Sequence, residues 1–209
     1  MFNTRIKLTL IAATSAAALL AAGCGNDDGN DSSMPGMTHA STTSAPASAT
    51  QRTDFNDADV MFLQMMYPHH AQAVEMAKLV PSRSQNQELI ALAANIEAAQ
   101  SPEMQQITTL LTAFGKQAPS ATTSGHSMDG HAMDGMMTDQ QMTELTAMSG
   151  TAFDKMWLQM MIEHHRGAVT MAQTELTSGV NPDSKAMAQA IVSGQQAEID
   201  QMNRMLTQV

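Results

Sequence analysis

The chain is poor in what most function classes need. It has a single cysteine, Cys24, so no intramolecular disulfide is available. Basic residues are few, 10 against 20 acidic ones, and the net charge is −10. A surface of that sign repels nucleic acid and attracts cations. No glycine-rich phosphate loop appears, and serine, threonine and the one cysteine show no nucleophile arrangement, so nucleotide and hydrolase chemistry has no support. Long apolar runs are also missing: the one clear run, Leu8 to Leu20, is too short and wrongly flanked to span a membrane.

That run follows Arg5 and Lys7 and ends in Ala21-Ala22-Gly23-Cys24, which marks residues 1–23 as an export signal. A lone cysteine after small residues at a signal's end is similar to a bacterial lipobox, although Ala21 stands where leucine is commoner. Cys24 is therefore expected to carry a lipid anchor. Residues 24–55, rich in Asp, Ser, Thr, Pro and Ala without apolar period, predict a disordered tether to a membrane facing the periplasm or cell exterior.

What is abundant is methionine: 21 residues, and each of the seven histidines has a methionine within four positions. The two types meet most densely in a repeat. Residues 59–77 and 154–172, 95 positions apart, are identical at 12 of 19 positions, including a Met-Met-x-x-His-His core. At about 100° per residue, Asp59, Leu63, Met66, His70, Ala73 and Ala77 share one face, which predicts a helix over about 57–80. His70 falls at the centre of that face and His69 near its edge. A second helix over about 86–114 carries Leu89, Leu92, Ala93, Ile96, Gln100, Glu103, Ile107, Leu110 and Leu111 as its stripe. The same offset maps it onto Met187, Ala188, Ile191, Gln195, Glu198, Met202, Met205 and Leu206. Gly179 closes the third long helix, and Asn181-Pro182 opens the fourth. The duplicated unit is thus a whole helical hairpin. Two such hairpins predict an all-α four-helix bundle over 56–209, with a short helix near 139–147 and a Met/His-rich loop at about 115–138.

Thioether and imidazole together suit a soft or borderline metal, copper above all. In the helices the candidate ligands are Met65, Met66, His69, His70 and Met76, with Met160, Met161, His164, His165 and Met171. Pseudo-symmetry is expected to unite Met66, His70, Met161 and His165 in a two-sulfur, two-nitrogen site. Met65, His69 and Met76, with Met160, His164 and Met171, form a second, more exposed set. Gln100, Glu103, Gln195 and Glu198 interrupt apolar stripes, and a buried carboxylate needs a partner or a metal. Glu103 and Glu198 are expected to pair with these imidazoles and so to orient them or to bind metal directly. In the loop, His126, Met128, His131 and Met133 have the character of recruitment arms for copper. Asn56-x-x-Asp59 and Thr151-x-x-Asp154 fit capping boxes, and Pro68 predicts a kink beside His69.

The paired Met-x-x-His-His-x-x-Ala-Val-x-Met-Ala segments, each followed by Gln-x-x-Glu, resemble the bacterial domain-of-unknown-function family 305, which includes CopM-type exported copper-binding proteins. The resemblance spans residues 55–209 and implies a ferritin-like bundle whose metal positions are the ten methionines and histidines of the repeat. Three readings follow. The first is a non-enzymatic protein outside the cytoplasm that sequesters or transfers copper, Cu(I) before Cu(II), in copper tolerance and in exchange with a donor or acceptor protein. The second is a ferritin-like dinuclear-metal oxidoreductase; here the chain is short of carboxylates, since such bundles use Glu and Glu-x-x-His from paired helices. The third is a metal-free helical module of the envelope.

Overall fold

Five helices carry the described residues, 52–119 and 134–209, of this computed structural model: α1 (Asp57–Arg83), α2 (Gln87–Ala113), α3 (Asp139–Ala147), α4 (Gly150–Ser178) and α5 (Pro182–Leu206). The export signal, Cys24, most of the tether and the loop residues His126, Met128, His131 and Met133 lie outside them. All the described residues belong to one unit, 46–209. None of their helices is long and apolar enough to cross a membrane.

The ends of the helices follow local chemistry. Asn56 and Asp59 close a reciprocal capping box at the start of α1, at 3.1 and 2.7 Å. Thr138 and Gln141 form another at α3. Asn86 and Asn181 accept the first free N–H groups of α2 and α5. The box expected at Thr151 and Asp154 does not form. Helix α4 begins earlier, after Ser149, because Gly150 adopts φ 63° and turns the chain into the helix ahead of Thr151. Helix α1 continues through Pro68 and Pro81 to Arg83. A proline removes one helix hydrogen bond, but the buried flanks Met66, His69, His70 and Ala73 tie α1 down on both sides of the gap.

Helices α1 and α2 form one hairpin and α4 and α5 the other, and α1 lies against α4 along the seam between them. The apolar core falls into two clusters. One joins the C-terminal half of α1 and N-terminal half of α2 (Met76, Val80, Leu89, Ile96) to Trp157, Met161, Ile199 and Met202. The other joins Leu63, Met66, Ile107 and Leu111 to Ala168, Ala172, Met187 and Ile191. Opposite halves of α1 and α4 share a cluster, so these two helices run antiparallel. Between the clusters lies a polar layer.

The long crossover returns to the bundle at that layer. Met137 is clamped by the Gln72 amide, its N–H donating at 2.7 Å and its carbonyl accepting at 2.8 Å. Just before it, Asp134 and Gly135 cross α4 at Gly167, where the backbones almost touch. A Cβ on Gly167 would come 1.9 Å from the Asp134 carbonyl oxygen. Gln72 and Gly167 occupy the same position of the two repeats: one grips the crossover, the other makes room for it. Gly167→Ala is therefore expected to cost about 1–3 kcal/mol through overpacking. Gly194→Ala, in open space on α5, is expected to gain about 0.5–1 kcal/mol. Urea denaturation of both variants checks the contrast.

Candidate metal centre

At mid-height α1 contributes His69 and His70, α2 Gln100 and Glu103, α4 His164 and His165, and α5 Gln195 and Glu198. All four imidazoles are fully buried. His70 Nε2 lies 2.7 Å from Glu103 Oε2, and His165 Nε2 lies 2.6 Å from Glu198 Oε2. Both pairs are internal to a hairpin. The two glutamate side chains keep 25% and 20% exposure, so their charge stays near water while each imidazole is withdrawn from it.

His69 and His164 meet across the α1–α4 seam, with ring centroids 3.8 Å apart and planes tilted by 43°. The helical pattern predicts an exposed edge for these two. They are buried because α1 and α4 pack edge to edge, so the margin of each apolar face becomes the seam. Met76 and Met160 are buried with them, and of that set Met65 and Met171 alone remain partly exposed.

The hydrogen bonds dictate which nitrogens remain free. A carboxylate or carbonyl oxygen can only accept, so in a neutral ring the bonded Nε2 carries the proton and Nδ1 keeps its lone pair. That applies to His70, to His165 and to His69, whose Nε2 donates to the Asp134 carbonyl at 3.2 Å. Nothing reaches Nδ1 of these three, and neither ring nitrogen of His164 has a partner. Gln100 is buried with both amide atoms unpaired, and Gln195 Oε1 is unpaired as well. An unmet buried polar group costs about 1–3 kcal/mol, so this concentration in one layer suits a place where a ligand completes the bonding. Burial, with the neighbouring imidazoles of His70 and His165 adding to it, pushes His69 down to about 3. Burial and the other three imidazoles hold His164 well below its ordinary value of 6.5. Neutral imidazole is the form that binds metal.

Among the described residues no three His, Cys, Asp or Glu side chains converge on one point, and thioether sulfur is the other soft donor close to the layer. Met66 and Met161, both fully buried, are the nearest candidates along their helices. Each sits one turn from the layer, about 5.4 Å along the axis. They belong to opposite apolar clusters, however. Antiparallel packing of α1 and α4 puts one sulfur above the histidines and the other below. The expected arrangement of Met66, His70, Met161 and His165 around a single ion is not what the helices bring together.

Glu175 carries no motif, yet it is buried beneath Gly179 with no protein donor on either carboxyl oxygen. Its neighbour is Asp59. Against the effect of burial, the N–H groups of Asn56, Asn181 and Val180 hold Asp59 below the usual carboxylate range. Burial, then Asp59, push Glu175 up to about 8. Glu175 thus keeps its proton at neutral pH and donates it to Asp59. The one sequence signal was positional, since a carboxyl stands where the first repeat has the core residue Val80.

The sequence pattern of the family described as "Domain of unknown function (DUF305)" matches residues 59–206. The chain belongs to that family. Among solved structures, this DUF305 chain is similar to a putative secreted DUF305 protein from Streptomyces coelicolor, with 32% identity, TM-score 0.65, and coverage of 72% of this chain and 93% of that one. A DUF305 fragment from Deinococcus radiodurans gives 29% identity, TM-score 0.67 and coverage of 75% and 100%. CopM in its Cu(II)-bound form gives 31%, TM-score 0.62 and coverage of 72% and 96%. CopM is also solved with Cu(I) and with Ag bound. No curated protein matches.

The shifted groups predict a stability maximum near pH 6.5. Below 6.5 the unfolded imidazoles of His69 and His164 take protons that the folded ones refuse, so stability falls as pH drops towards about 3. Glu175 acts in the opposite sense. Its folded value is raised, so its contribution is complete below 4.5 and is lost as pH rises through about 8. In a pH series of urea midpoints, His69→Gln with His164→Gln should flatten the acid arm and Glu175→Gln the alkaline one.

Proposed function

We propose that this protein binds copper ions outside the cytoplasm, Cu(I) in preference to Cu(II), and buffers them or hands them to another protein, so limiting copper toxicity. The observation that carries the reading is the polar layer: five imidazole nitrogens without partners, buried together, on rings of which two are oriented through Nε2 by a carboxylate. A carboxylate behind an imidazole is the usual way to fix the tautomer of a metal ligand and raise its basicity. His69, His70, His164 and His165 supply the nitrogen donors. Met66 and Met76 from α1, with Met160 and Met161 from α4, supply soft sulfur on either side of them. The copper-bound structures of CopM, 31% identical for the Cu(II) form, support the same reading.

Export is supported by the leader and by the description of the Streptomyces relative as secreted. We assign Cys24 as the lipidated residue that anchors the bundle to a membrane. His126, Met128, His131 and Met133 then act as a first capture segment for copper. A carboxylate-rich dinuclear oxidoreductase finds less support, because the layer offers one glutamate to each hairpin.

The test is an anaerobic Cu(I) titration of the exported chain against a chromophoric chelator. Glu103→Gln with Glu198→Gln is expected to weaken binding about 10–100-fold, and His69→Asn with His164→Asn at least as much. Failure of the unaltered chain to compete for Cu(I) would overturn the copper reading. Unchanged affinity in both double variants would move the site out of the helical layer.

A further inference from the structure

The repeat generates two methionine triads related by pseudo-symmetry, and the structure treats them differently. Met156, Met160 and Met76 form the first. Met76 and Met160 are buried, and Met156 packs on the same apolar cluster, which also contains Met137 from the end of the crossover and Leu145 from α3. Of this triad only Met156 keeps partial exposure. Its counterparts are Met61, Met65 and Met171. Met61 is 60% exposed, and Met65 and Met171 are partly exposed. No segment equivalent to α3 covers them among the described residues. They line a cavity of about 220 Å³ between α1 and α4, with Phe62, Asp134 and Glu175 also in its wall.

Three features make this cavity more than a gap in packing. Three methionines from two helices line one space. The wall includes a 1% exposed carboxyl, Glu175, whose oxygens meet no donor from the protein. The cavity also adjoins the buried histidines: Met65 stands one turn before His69, and Asp134, in the wall, accepts from His69 Nε2.

We propose that this cavity is a second metal site, distinct from the histidine layer, which takes a soft monovalent cation on Met61, Met65 and Met171, with the Glu175 carboxyl giving up its proton to solvent as the cation binds so that the charge balances. Neutral thioethers with a single acid favour Cu(I) or Ag(I) over harder divalent ions, which prefer nitrogen and oxygen. The position of the site, open outside and bordered by His69 inside, makes it the point of entry to the layer. The inference rests on the copper reading and extends it to Met61 and Glu175, residues which that reading does not use.

Ag(I) is a suitable probe because it is soft, monovalent and stable in air. The full exported chain, labelled with 13C at the methionine methyl groups, is titrated with Ag(I) and followed by NMR. The methyl signals of Met61, Met65 and Met171 are expected to shift together, while that of Met156 stays in place. Met61→Leu with Met65→Leu and Met171→Leu preserves apolar volume and should lose one equivalent of Ag(I), with binding at the histidine layer kept. The control Met156→Leu should lose none. An unchanged Ag(I) stoichiometry in the triple variant, or a still Met61 methyl, overturns the second site and leaves the histidine site standing. No binding of Ag(I) or Cu(I) by the unaltered chain overturns both. If the triple variant does not fold, the methyl shifts of the unaltered chain alone decide.

Discussion

The structure depends on the placement of four imidazoles in the middle of an apolar bundle. Each would be expensive there as a cation, and each is costly even when neutral if both nitrogens go unmet. The bundle meets this at three levels. Glu103 and Glu198 bond to one ring each from the rim of the layer, where water still reaches their charge. The returning crossover offers a backbone carbonyl to His69. His164 receives only the face of its counterpart. What remains unmet is concentrated on the nitrogens a metal would use, and the two apolar clusters above and below keep the layer dry and fixed in height.

Duplication supplies symmetry, and the crossover removes it. Gln72 and Gly167 are the same position in two copies, and the residue at each decides on which side the crossover is gripped and on which side it passes. Met137 and Leu145 of α3 pack in one cluster with Met76 and Met160. Among the described residues nothing comparable lies over Met61, Met65 and Met171, so the two outer surfaces of the duplicated unit differ.

Much of this was legible in the residues. Helical period, the 95-residue offset and the cap residues are local properties, so the four long helices, the short α3 and the hairpin pairing could be read directly. The pairing of each histidine helix with a glutamate helix was legible too, because Gln100, Glu103 and their counterparts broke an apolar stripe. Burial at the edge of a face was not. Whether His69 lies at a margin or in a seam depends on which helix comes to rest beside it, and a single helix's period holds no information on its neighbour. The opposite heights of Met66 and Met161 were hidden for the same reason, since they follow from the antiparallel course of α1 and α4. Thr151 misled because a glycine at positive φ one residue earlier had already started the helix.

Asp59 closes the first turn of α1 and also binds the N–H groups of Val180 and Asn181 in the link between α4 and α5. One carboxylate therefore belongs to both copies of the duplicated unit. The turn of the second hairpin is thus held by a side chain 121 residues away. Separated, the second hairpin would lose the acceptor for those two N–H groups, so the copies are tied at this end as well as along the seam of α1 and α4.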